Sequence, residues 1–319
     1  MHALACHSST GVSDHRRCIL AADHGRRSDP SERRRGSLLR LDRELGKRNY
    51  RNAVAIAKQL QGKPSGLAGF GSAKQVPKRV WLPDDLKLNG TDLSYLSPLL
   101  DSTLDSIQSC LDFARTEDSM PGSGQQSVPL EEGNDQPLGE EDIFMCSQHE
   151  AGHFLVAYLL GVLPKEYKVL KRGNSSQDQF AGGTVKFVGF EFLREVPELD
   201  TLSESIGGRK SSYKVNKRCI SSKTFNNFSC VILGGLVAEL LSFGYSEGLH
   251  SDVDKLDRVI RWLGLTESTV KSHVKWASLN TAFILHQHHE TRLQLAKAMG
   301  SGQSIGSCIN IIENSLHQK

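Results

Sequence analysis

The most restrictive stretch of this chain is Cys146-Ser147-Gln148-His149-Glu150-Ala151-Gly152-His153-Phe154-Leu155-Val156-Ala157-Tyr158. Phe144, Met145, Ser147, Ala151, Phe154, Leu155, Tyr158, Leu159 and Val162 give the residues around it a broad apolar surface at helical spacing. This predicts a core helix over residues 142–162, opened by Glu140-Glu141-Asp142, whose charges suit the helix dipole, and stopped at Pro164. A helix this apolar must be wrapped by neighbours, so any fold has to bury His149 and His153 with it. Residues four apart share a helix face, with Cβ atoms about 5–6 Å apart. Two imidazoles so placed can reach one Zn²⁺ at roughly 2.0–2.1 Å each. Glu150 then lies beside the open coordination position, where it can take a proton from water. Gly152 costs about 1 kcal/mol against Ala inside a helix, which predicts a close neighbour there.

A zinc ion with two histidine ligands needs a third protein ligand. Residues 224–243 read as a second apolar helix, with Phe228, Val231, Ile232, Leu236, Leu240 and Leu241. Glu239 lies within it, and a buried carboxylate is costly unless paired. Its expected task is to accept a proton from a ligating imidazole. Asp252, Asp254, His250 and Glu239 are all candidates for the third ligand, and spacing does not choose among them. Ser251 or Asp252 is expected to cap a helix running to Leu263. Strands are expected at residues 167–170 and 182–192. Gly182-Gly183-Thr184-Val185 reads either as an edge strand that pairs with an extended peptide or as a plain structural strand. His286, His288 and His289 lack an i,i+4 partner and read as a solvated face.

The remaining chain divides by composition. Residues 1–36 are rich in Arg, Ser and His and read as a disordered tail or an organellar transit peptide; Asp14, Asp23, Asp29 and Glu32 count against the latter. Residues 37–116 form a helical N-terminal region. It begins with a hairpin over 38–45 and 50–60, broken by Gly46 and capped by Asn49. Gly46-x-x-Asn49-Tyr50-x-x-Ala53 resembles a single tetratricopeptide-like unit, suited to docking or dimerisation. Residues 62–71 are Gly-rich and read as a flexible connector without phosphate-loop order. A helix follows over 93–115. Residues 117–140 turn to Ser, Gly, Gln, Pro and acids, a flexible linker ahead of the metal-bearing domain at 141–319. Within that domain, 191–216 is a polar excursion, 266–299 one long helix or two, and 304–316 a last helix. A net charge of +3 argues for no nucleic-acid partner. Seven scattered cysteines contain no Cys-x-x-Cys pair, which excludes a cysteine-cage zinc site and a disulfide framework and suits a reducing compartment. No apolar run approaches a membrane span, with 154–163 and 230–241 the nearest.

Three motifs together resemble the FtsH-type zinc metalloproteases. His149-Glu150-Ala151-Gly152-His153 is similar to their zinc motif. Leu233-Gly234-Gly235-Leu236-Val237-Ala238-Glu239 is similar to their Gly-Gly-x-x-Ala-Glu helix, and Glu247-Gly248-Leu249-His250-Ser251-Asp252 to the turn that carries their third ligand. The resemblance spans about residues 143–316. It implies a mainly α fold with a small β-sheet, an FtsH-like zincin helical peptidase domain. It also implies zinc held by His149, His153 and Asp252, Glu150 as catalytic base, and Gly182-Gly183-Thr184-Val185 beside the substrate. FtsH proteins precede the peptidase with an ATPase module and membrane spans. Neither is visible here, so the chain resembles the ATPase-less FtsH-peptidase-like proteins of plants. The implied substrate is an unfolded or flexible polypeptide, with an ATPase or FtsH-type partner and a chloroplast location, the alternative being cytoplasmic. A non-catalytic zinc-binding scaffold of FtsH complexes is the alternative function.

Overall fold

The structure, a computed structural model, describes residues 30–63, 65–78, 87–88, 91–92, 94–117, 139–169, 183–197, 220–246 and 249–316. The expected tail at 1–29, most of the linker, the middle of the polar excursion, Gly182, Glu247 and Gly248 lie outside them. The fold is mainly helical with little strand. Among the described residues ten α-helices run in order: α1 Pro30–Gly46, α2 Tyr50–Leu60, α3 Ser97–Glu117, α4 Glu140–Leu159, α5 Ser222–Ile232, α6 Gly234–Phe243, α7 Leu249–Leu263, α8 Glu267–Gln287, α9 His289–Gly300 and α10 Ile305–Leu316. The described residues also form two antiparallel pairs: β1 Lys87–Leu88 with β2 Thr91–Asp92, and β3 Pro164–Lys168 with β4 Thr184–Phe187. In the second pair Tyr167 faces Val185 and Lys168 faces Thr184.

Helix α4 is the centre of the core, with every residue from Ser147 to Leu159 buried. Its first turn holds Glu140, Glu141 and Asp142, and Asp142 Oδ2 accepts the Gly139 amide at 2.9 Å. Gly161, not Pro164, ends it. Gly161 takes φ +78°, and Val162 N–H reaches back to Ala157 O at 2.8 Å, which closes the last turn. Pro164 instead opens β3.

The expected helix over 224–243 is two helices broken at Leu233. A Cβ on Gly152 would lie 2.2 Å from Gly234 O and 2.7 Å from the Ala238 Cβ, so α4 and α6 touch backbone to backbone. This is the close neighbour that Gly152 predicted. By length and mean hydropathy the stretch Ser222–Phe243 does reach that of a membrane span, contrary to the reading of uninterrupted runs. Of its most apolar window, 78 % is buried inside the protein, so here it is core.

The N-terminal hairpin is longer than expected and belongs to the same core. Leu38, Leu41, Ala53 and Ala57 pack in one cluster with Ile107, Phe154 and Ile309. Asp42 fastens α1 to the start of α10, accepting Gly306 N–H and Ser304 Oγ–H at 2.7 Å each. Buried Arg34 donates to Asn310 and Asn314 on α10. Most of the hairpin's apolar face is therefore buried inside the molecule, while Leu39 stays exposed. The Gly-rich stretch is likewise pinned. Glu313 accepts the amides of Ala68 and Gly69 at 2.9 Å, and Gly71 and Ala73 donate to Tyr158 O and Leu159 O. Val76 then bonds Asn280 and Trp276 on α8.

Candidate metal centre

His149 and His153 project from one face of α4 with their Nε2 atoms 3.0 Å apart. Helix α7 brings Asp252 to them from a hundred residues downstream. Its Oδ2 lies 3.0 Å from His149 Nε2 and 2.9 Å from His153 Nε2. Among the described residues these three form the one group of His, Cys, Asp or Glu side chains whose ligand atoms converge. All three are buried.

The other ring nitrogens decide what the converging atoms are. His149 Nδ1 faces Glu239 Oε1 at 2.9 Å, and His153 Nδ1 faces the Val231 carbonyl at 2.7 Å. Both acceptors require a proton on Nδ1, so each neutral ring presents a lone pair at Nε2. Asp252 Oδ2 accepts no hydrogen bond. Three lone-pair atoms within 3.0 Å of one another repel unless a cation stands between them. Burial alone would hold the His149 imidazole neutral, but the Asp252 and Glu239 carboxylates outweigh it and push its pKa well above the ordinary range. Burial also opposes charge on Asp252, yet the His153 and His149 rings hold its carboxyl far below the usual carboxylate range. Two imidazoles and one carboxylate oxygen are the donors of catalytic zinc sites. Tetrahedral ligands at about 2.0 Å stand about 3.3 Å apart, so these atoms need to open by only a few tenths of an ångström.

Glu239 is the orienting carboxylate. Its Oε1 accepts a hydrogen bond from His149 Nδ1–H and its Oε2 accepts one from the Ser246 hydroxyl. The remaining candidates for third ligand point elsewhere. Asp254 pairs with Arg258 at 3.1 Å, and His250 Nδ1 lies 3.3 Å from the Cys110 thiol on α3. His286 packs on the Tyr95 ring and His289 Nδ1 accepts a hydrogen bond from Arg292, both away from the centre.

Glu150 lies beside the cluster, 2 % exposed, with an Oε2 that has no hydrogen-bond partner. Burial raises its pKa, against the pull of His153 and His149. It lines a cleft of about 1180 Å³ together with the three convergent residues. Gly183, Thr184 and Val185 form one side of that cleft, and Phe187, Phe190 and Phe228 supply an aromatic wall. No described strand pairs the second edge of β4.

Two glycines make the packing at the centre sterically possible. A Cβ on Gly235 would meet the His149 ring at 2.3–2.6 Å, and one on Gly183 would meet Glu150 Oε1 at 2.5 Å. Sequence reasoning missed the role of Gly235 and those of Val231, Ser246 and Lys255. A backbone acceptor such as Val231 O leaves no trace in side-chain identity. Lys255 had one available signal, its i,i+3 spacing from Asp252. No known protein-family model matches the chain, and no curated protein matches it.

Proposed function

We propose that this chain is a zinc-dependent metalloendopeptidase of the FtsH type, acting on unfolded or flexible polypeptides. The observation that carries the reading is the convergence of His149 Nε2, His153 Nε2 and Asp252 Oδ2 beside the unpartnered carboxylate of Glu150, in one open cleft. His149, His153 and Asp252 would hold the metal, which when bound acidifies water and polarises a carbonyl oxygen.

The chain's own residues supply the rest. Glu150 Oε2 takes the proton of the attacking water and delivers it to the leaving amine nitrogen. Its buried position favours the protonated form, which suits the second half of that transfer. Glu239 and the Val231 carbonyl fix the tautomer and tilt of the two imidazoles. The unpaired edge of β4 aligns an extended peptide by backbone hydrogen bonds, and the Phe187–Phe190–Phe228 wall receives an apolar side chain. A folded substrate cannot enter as an extended strand, so the chain either cleaves only flexible polypeptides or works with a partner ATPase of the FtsH kind.

The deciding comparison is zinc content and cleavage of a permanently unfolded protein by the wild type and Glu150→Gln. Equal zinc, with cleavage reduced about 10²–10⁴-fold in the variant, is the expected result. Cleavage unaffected by the substitution overturns the reading. Bound zinc without any Glu150-dependent cleavage would favour the non-catalytic scaffold instead.

A further inference from the structure

The two oxygens of Asp252 have different neighbours. Oδ2 faces both imidazoles, whereas Oδ1 lies 3.3 Å from Lys255 Nζ. Asp252 is buried, but the Lys255 side chain is 42 % exposed and lines the cleft. The pair stands i,i+3 on α7, so helix geometry holds the ammonium against that one oxygen.

A carboxylate with both oxygens free can bind a divalent ion through one or through both. Binding through both adds a ligand and fills the position that a reacting water needs.

We propose that Lys255 is a positioning residue that occupies Asp252 Oδ1, so that Asp252 serves as a one-oxygen ligand and the fourth coordination position stays open. The inference rests on the metal reading of His149, His153 and Asp252, and not on which reaction follows. Because the ammonium competes with a metal for the same carboxylate, its removal should not weaken metal uptake. What should change is the coordination number.

The experiment uses the full chain, stripped with a chelator and titrated with Co²⁺, whose visible absorption is strong in four-coordinate and weak in five-coordinate sites. Wild type, Lys255→Met and Lys255→Arg are each expected to bind one ion. The Met variant should show the weaker, five-coordinate spectrum, and Arg should restore the wild-type one. In the zinc forms, kcat of Lys255→Met should fall about tenfold with KM little changed, and Lys255→Arg should recover it. A Met variant with wild-type absorption and kcat overturns the proposal, as does an Arg variant that loses as much as Met. If all three bind Co²⁺ but none cleaves, the spectra still decide the role of Lys255 and the peptidase reading alone fails. If the wild type takes up no Co²⁺, the metal reading fails and this inference with it.

Discussion

Gly235→Ala separates the stability of the fold from the integrity of the centre. Gly235 is the second residue of α6, and a methyl group there would sit 2.3 Å from His149 Cε1, 2.4 Å from Nε2 and 2.6 Å from Nδ1. Ordinary carbon contacts lie at about 3.5–4.0 Å, so the ring has to retreat by about 1 Å or more. That movement breaks the 2.9 Å bond to Glu239 and carries Nε2 away from Asp252. Metal–ligand distances tolerate only about ±0.2 Å. Zinc affinity should therefore fall by at least the 10–100-fold typical of losing an orienting partner. Global stability should change far less. The imidazole can swing toward the cleft, and Ala gains about 1 kcal/mol over Gly in a helix. The control is Gly152→Ala, whose methyl meets the Gly234 backbone at 2.2 Å. Backbone cannot swing aside, so this variant should lose about 1–3 kcal/mol of stability or fail to fold. Chelator competition reads the first effect and urea unfolding of the metal-free proteins reads the second. A Gly235→Ala protein that binds zinc as tightly as wild type would refute the steric reasoning.

Two further outcomes follow from groups outside the centre. His273 is buried, with Nε2 2.8 Å from Ser229 Oγ; burial, then Lys78, lowers its pKa from 6.5 to about 4. The unfolded chain takes up this proton as pH falls below about 6.5 and the native chain only near 4, so stability is lost across that window, by about 2–3 kcal/mol. Denaturant midpoints measured from pH 7 to 4 should show the loss, and His273→Gln should flatten it; equal slopes in both proteins would refute the assignment. Glu313, fully buried, accepts the Ala68 and Gly69 amides and the Tyr158 hydroxyl. Glu313→Ala strands two buried donors, Gly69 N–H and the Tyr158 hydroxyl, and the part-buried Ala68 amide, and should cost about 3–5 kcal/mol in urea unfolding; a loss under about 1 kcal/mol would show that water replaces the carboxylate.

What could be read from the sequence was what local spacing controls. The i,i+4 histidines, the apolar stripe of α4 and the close approach at Gly152 each follow from a few neighbouring residues. The choice among His250, Asp252 and Asp254 did not, because it depends on how α7 is rotated. With the helix beginning at Leu249, Asp252 turns inward and Asp254 faces Arg258. Periodicity also ran straight through Leu233, since the apolar pattern of α5 and α6 is continuous while the break arises from backbone contact with α4. The Gly-rich stretch read as flexible because its anchor, Glu313, lies some 245 residues away in sequence.

The centre also constrains how this chain folds. Each buried carboxylate carries a desolvation penalty of several kcal/mol unless compensated. Glu239 is compensated by the His149 proton and the Ser246 hydroxyl, but Asp252 Oδ2 meets two lone pairs and Glu150 Oε2 meets no donor. Without a metal, the Asp252 and Glu239 carboxylates favour a proton on His149 despite its burial. A divalent ion would displace that proton and satisfy all three atoms together. A metal bound there would release that proton and add to folding stability.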